Sequence, residues 1–204
     1  MNWETYAAFG DSITIGARTY LGYPELTAHE LTQALPTQWN VINHAVCGYK
    51  AIDLARHIDT HFADLKEIRP SIATILIGTN DIKEGTSLSN YLIAMEQVVL
   101  KVRLLTMNNN VLLLAIPELH RGVSYPYSVQ MNETVAGYNT ELKKLARRNN
   151  IRMMELDHSA DDFVDGVHLS ETGVETFSEQ IVRYVLTDKG LLLPAAGECR
   201  NVAA

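Results

Sequence analysis

Five short apolar runs recur along the chain, at about Thr5 to Phe9, Trp39 to Val46, Ile72 to Ile77, Val111 to Ile116 and Ile151 to Leu156. Each is too compact for a globular helix, and its apolar residues are largely consecutive instead of alternating. Strands of that kind must be buried on both faces, as in a parallel sheet covered by helices on either side. The intervening segments can supply the helices. Ile52, Ala55, Ile58, Phe62, Leu65 and Ile68 recur at three- and four-residue intervals, with Asp53, His57, His61 and Asp64 on the opposite face, which predicts one amphipathic helix there. Similar stripes predict helices over Leu88 to Met107, Val129 to Ala146 and about Gly173 to Leu186, the last with Thr172 and Glu175 at capping-box spacing.

The alternation carries no repeat and no linker-like composition, so it predicts a single α/β domain over residues 1–188. Residues 189–204 read as an irregular tail of that domain. Its Leu191, Leu192 and Leu193 precede Pro194 and Gly197, and would pack on the body or on a second copy as a homodimer contact. With 47% hydrophobic residues in 204, the chain can furnish a sizeable core. Its 17 Lys and Arg against 24 Asp and Glu give a net charge of −7, and no basic run exceeds two residues, which argues against a nucleic-acid partner. No stretch approaches the roughly 18 to 20 apolar residues of a membrane span. Asn2, Trp3 and Glu4 lead straight into the first apolar run without signal-peptide layout, so a cytoplasmic location is expected. Cys47 and Cys199 match no zinc or redox spacing and imply no disulfide framework.

Chemistry-bearing residues gather at the carboxyl ends of the predicted strands, the edge at which open parallel sheets bind ligands. Gly10, Asp11 and Ser12 follow the first run, and Gly48 follows the second. Gly78-Thr79-Asn80-Asp81 follows the third, and Asp165-Gly166-Val167-His168 lies beyond the fifth. A serine hydroxyl is a poor nucleophile at neutral pH and needs a base within hydrogen-bond reach; His168 is the candidate. Asp165, three residues earlier, could hold the imidazole tautomer and stabilise its cation.

Rival sets are weaker. Glu155 and His158 repeat the acid and base spacing, but Glu155 falls inside a predicted strand, where neighbouring side chains alternate faces. Asp53, His57 and His61 have ligand spacing on one helix face, yet that face reads as solvated. Asp157, Asp161, Asp162 and Asp165 lack the oxygen-ligand spacing of a calcium loop. Cys47 reads as a packed thiol without a paired base. There is no GxSxG elbow, phosphate loop or dinucleotide fingerprint.

The ordered blocks, a GDS triplet, an isolated glycine, GxND and DxxH, resemble the SGNH hydrolases, also called the GDSL esterases and lipases. They run from Gly10 to His168 and so cover most of the chain. The resemblance implies a three-layer α/β/α sandwich with a five-stranded parallel sheet in the flavodoxin-like order 2-1-3-4-5. It also implies hydrolysis of small or medium acyl esters through an acyl-Ser12 intermediate, with Ser12, His168 and Asp165 as the triad. The oxyanion hole would comprise the backbone N–H groups of Ser12 and Gly48 and the Asn80 amide, with Asp11, Gly78 and Asp81 in support and no metal or organic cofactor. An acyltransferase, an acyl-thioesterase or a lysophospholipase would use the same site; a non-catalytic ligand-binding relative is the remaining alternative. The loops Arg18 to Pro24, with Tyr20 and Tyr23, and His120 to Tyr127, with Arg121, Tyr125 and Tyr127, are expected to overhang Ser12.

Overall fold

The computed structural model describes residues 2–188. The tail of 189–204, with Cys199 and the leucines read as a packing or dimer contact, lies outside the described residues. Strand β1 (Asn2–Gly10) leads into the one-turn helix α1 (Ser12–Ile15) and then α2 (Tyr23–Ala34). Strand β2 (Thr37–Asn43) is followed by α3 (Ala51–Thr60) and α4 (Phe62–Ile68). Strand β3 (Ile72–Leu76) is followed by α5 (Thr79–Lys83) and α6 (Leu88–Leu105). Strand β4 (Val111–Leu114) precedes α7 (Asn132–Arg148), and β5 (Arg152–Met154) precedes α8 (Glu171–Asp188). The strands form one five-stranded sheet in the order β2-β1-β3-β4-β5, every pair parallel.

The consecutive apolar runs divide by alternation between two cores. Ala7, Phe9, Ala73, Ile75, Val111 and Leu113 face residues of α3, α6 and α7, such as Leu54, Val98 and Leu142. Tyr6, Ala8, Ile72, Leu76, Leu112 and Leu114 face residues of α2 and α8, such as Leu31 and Phe177. A polar residue survives inside β3 because it is paired: Thr74 Oγ1 lies 2.7 Å from the Tyr6 hydroxyl, both fully buried.

The expected boundaries shift where backbone pairing and side-chain burial part company. β1 starts at Asn2, because pairing with β2 runs from Asn2 opposite Thr37 even though the first side chains are exposed. β2 ends at Asn43 instead of Val46, although the His44 and Val46 N–H groups still donate to Ala8 and Gly10 at the end of β1. β5 shrinks to three residues, so Glu155 lies beyond it and not within it. The single helix expected after Gly48 breaks at His61, which caps both α3 and α4. The helix expected from Val129 begins as a 3-10 turn and becomes α-helical only at Asn132. α8 is capped by Ser170, whose hydroxyl accepts from the Gly173 N–H at 3.2 Å, and not by Thr172, which lies within the helix.

Candidate active site

The turn after β1 places Ser12 because the local sequence leaves it little choice. Asp11 Oδ1 accepts the Ile13 N–H at 3.0 Å and caps α1, while Gly16 ends that helix with φ 73°. A Cβ on Gly10 would sit 2.2 Å from Thr14 Oγ1 and 2.5 Å from the Leu76 carbonyl oxygen, so only glycine allows so close a turn against β3. Ser12 is thereby held at the carboxyl edge of the sheet, 8% exposed.

His168 arrives from the far side. β5 lies three strands from β1, roughly 14 Å at the usual strand spacing. The segment following β5 crosses back over that distance and is pinned as a tight turn. The Val164 N–H donates to the His168 carbonyl at 2.8 Å, and Asp165 Oδ1 accepts from the Val167 and His168 N–H groups at 3.1 and 2.8 Å. Asp165 Oδ2 lies 2.8 Å from His168 Nδ1, and His168 Nε2 lies 3.0 Å from Ser12 Oγ. With Nδ1 protonated toward the carboxylate, Nε2 remains as acceptor for the Ser12 hydroxyl. Burial pushes the Asp165 carboxyl up, but hydrogen bonds from the His168 backbone, the His168 ring and the Val167 N–H outweigh it and hold the group below its ordinary value.

The other motif residues form a linked layer at the same edge. Asn80, 3% exposed, donates from Nδ2 to the Tyr49 carbonyl at 3.0 Å and to Asp11 Oδ2 at 3.4 Å. Tyr49 directly follows Gly48, an exposed glycine with φ 80°. Asp81 Oδ2 accepts the Ala51 N–H at 2.9 Å, tying the start of α3 to the turn after β3. Burial pushes Asp11 up to about 7 and Asp81 up to about 6. Gly78 has φ 139°, and a Cβ there would lie 2.4 Å from Ile116 Cδ1.

Several residues take places the sequence did not indicate. Tyr23 is wholly buried, 3.2 Å from Thr14 Oγ1, and belongs to the core instead of the mouth. Tyr20 and Tyr125 are 91% and 96% exposed. Tyr127 turns inward and donates its hydroxyl to Asn80 Oδ1 at 3.3 Å. Arg18 Nε approaches Asp165 Oδ2 at 3.7 Å. The His120 N–H donates to the Gly166 carbonyl at 3.0 Å, so the loop before α7 supports the turn that carries His168. The glycine between Asp165 and His168 was the one available signal of that close approach.

The rival sets separate. Glu155 pairs with exposed Lys143 at 3.4 Å, while His158 Nδ1 lies 3.0 Å from His120 Nε2. Asp53 accepts the Lys50 N–H at 3.2 Å, and His57 instead joins His44, with 3.2 Å between ring nitrogens, and the His61 ring. That face of α3 is therefore not simply solvated, because the chain after β2 folds onto it. Burial and then the neighbouring imidazoles push His44 and His57 below the ordinary histidine value. Asp162 caps its own turn through the Ser159 N–H at 2.7 Å, apart from the Asp165–His168 contact. Among the described residues, no group of three or more His, Cys, Asp or Glu side chains is arranged to hold a metal ion. No helix among them is long and apolar enough to cross a membrane. Cys47 is an exposed free thiol and not a packed one, since the chain leaves the sheet edge before it. A cleft of about 410 Å³ opens beside the ends of β4 and β5, lined by Glu118, Asn139, Lys143 and His158 among others, but it contains none of Ser12, Asp165 or His168.

Solved structures share this fold. A lipase/acylhydrolase from Enterococcus faecalis is 20% identical, with a TM-score of 0.71 over 95% of this chain and 100% of that one. The acetyl xylan esterase AlAXEase is 20% identical, with a TM-score of 0.73 over 89% and 99% of the two chains. The psychrotrophic esterase EstA from Pseudoalteromonas sp. is 17% identical, with a TM-score of 0.68 over 92% and 98%. No curated protein matches the chain significantly in sequence. The model of the GDSL-like Lipase/Acylhydrolase family matches residues 8–175, a span that holds all four motif blocks and supports ester hydrolysis as the general chemistry. By that match, this chain belongs to the GDSL-like lipase/acylhydrolase family.

Proposed function

We propose that the protein hydrolyses carboxylic esters through an acyl-Ser12 intermediate, with Ser12, His168 and Asp165 as a triad. The observation that carries this is the continuous contact from Ser12 Oγ to His168 Nε2 at 3.0 Å and from His168 Nδ1 to Asp165 Oδ2 at 2.8 Å. His168 takes the hydroxyl proton as Ser12 Oγ attacks the ester carbonyl, and returns it to the departing alkoxide. A water then repeats the sequence and frees the carboxylic acid. Asp165, held anionic, stabilises the imidazolium in both halves. The oxyanion formed at each attack is bound by the Ser12 and Gly48 N–H groups and by the Asn80 amide, an uncharged donor.

The preferred substrate in this reading is a small acyl group on a polar carrier, such as an acetylated sugar. Two features support it: Arg18, whose Nε approaches Asp165 Oδ2 at 3.7 Å and offers hydrogen bonding beside the triad, and the fold shared with acetyl xylan esterases. The test is the wild-type enzyme and Ser12→Ala, each assayed on p-nitrophenyl acetate, p-nitrophenyl octanoate and acetylated xylose. Turnover is expected to fall by at least about 10³-fold. Wild-type turnover in that variant would remove the triad reading, and octanoate turned over faster than acetate would remove the small-acyl reading alone.

A further inference from the structure

An asparagine side-chain amide is nearly symmetrical in shape, so its hydrogen-bond partners decide which end faces a reacting group. Asn80 has partners at both ends. Nδ2 donates to the Tyr49 carbonyl at 3.0 Å, and more weakly to Asp11 Oδ2 at 3.4 Å. The long second contact leaves one N–H loosely held and available to a stronger acceptor. Oδ1 accepts from the Tyr127 hydroxyl at 3.3 Å, the donor it meets among the described residues. Reversing the amide would set Oδ1 against two acceptors and turn an N–H toward the phenol oxygen.

We infer that Tyr127 is a positioning residue for the oxyanion donor: its hydroxyl, across a long 3.3 Å contact, favours this orientation of the Asn80 amide over the reversed one and polarises it. A hydrogen bond donated to the carbonyl end draws electron density toward oxygen and makes the N–H end a better donor, an effect of roughly 10–30% per bond in hydrogen-bonded chains. The inference rests on the reading of Asn80 as an oxyanion donor and names the residue that sets that donor up. The surroundings suit the role. Tyr127 is half-buried, with Lys83 Nζ 5.8 Å from its ring centroid. Burial, followed by the nearby carboxylates of Asp11, Asp165 and Glu84, pushes its hydroxyl up to about 12, so it stays a donor throughout the neutral range. Tyr127 also belongs to the loop whose His120 N–H holds the Gly166 carbonyl. That loop therefore touches both the oxyanion side and the histidine side of the site.

The test is a double-mutant cycle on p-nitrophenyl acetate with Tyr127→Phe, Asn80→Ala and the pair, each rate normalised to the Ser12 fraction that a fluorophosphonate probe labels. Phenylalanine removes only the hydroxyl. Asn80→Ala should lower kcat about 10²–10³-fold, the usual cost of one oxyanion donor. Tyr127→Phe should lower kcat about 3- to 8-fold, a fraction of that cost because it acts through Asn80, with KM within about twofold. On the Asn80→Ala background the same change should have no further effect beyond about twofold. A Tyr127→Phe enzyme within twofold of wild type, or a loss that multiplies in the pair, overturns the inference and leaves the oxyanion reading standing. Wild-type turnover by Asn80→Ala overturns both.

Discussion

At the scale of single residues, the site depends on atoms that are missing as much as on those present. Gly166 has φ 77°, and a Cβ there would lie 2.6 Å from the His120 carbonyl oxygen, a backbone atom that cannot swing aside. Gly166→Ala must therefore strain the turn or shift it, at a cost of about 1–3 kcal/mol for such a backbone. Because Asp165 and His168 flank this residue, the displacement passes directly to the imidazole. We expect kcat to fall by at least about tenfold, within the roughly 10²-fold that a 1 Å misplacement can cost, with a lowered melting temperature. Steady-state kinetics and a thermal melt on the same sample check both. Ser12, Asp165 and His168 stood out in the sequence because each sits in a short local motif at a predicted strand end. Tyr127, Arg18 and His120 were placed only as parts of loops expected over Ser12, since nothing in their own neighbourhoods marks which atom each will meet.

At the scale of elements, the one-turn helices α1 and α5 follow adjacent strands and carry the motif residues into the same layer. Asp81 links α5 to the start of α3 through the Ala51 N–H. Its carboxyl is raised by burial from 3.8 to about 6, so the folded protein holds this proton more tightly than the unfolded chain. The stability this provides is full below about pH 4 and is lost as the pH rises through about 6. Asp81→Asn can still accept the Ala51 N–H and does not ionise. Its melting temperature relative to wild type should therefore be more favourable at pH 8 than at pH 4, and a difference independent of pH would refute the shift. The sequence made the long helices legible through their apolar stripes. It did not show the break at His61 or the Ser170 cap, because both depend on how the chain turns against its neighbours.

Across the whole molecule, the sheet separates two cores, and the site lies on the rim where the chain passes between them. Phe177 of α8 is fully buried against Tyr23 of α2 and the His158 ring, with centroids 6.0 and 6.3 Å away. Phe177→Ala should lower the unfolding free energy by about 3–5 kcal/mol, the usual cost of removing a core aromatic. Urea titration should show this as a lower midpoint with an unchanged slope. The same core anchors the base of the segment that returns His168 to Ser12, so packing at the back of the sheet supports geometry at its front.

What the amino-acid order alone determined were features written in nearby residues: the apolar runs, the amphipathic stripes and the four short motifs at strand ends. These depend on periodicity and turn chemistry over a few residues. Only the tertiary structure decided that Tyr127 meets Asn80, that His120 supports Gly166, that His44 joins His57, and that Cys47 stands exposed. Each is a contact or exposure set by segments distant in the chain. Such contacts carry no local period or spacing, because hydrogen-bond geometry and burial settle them only once the sheet has brought its edges together.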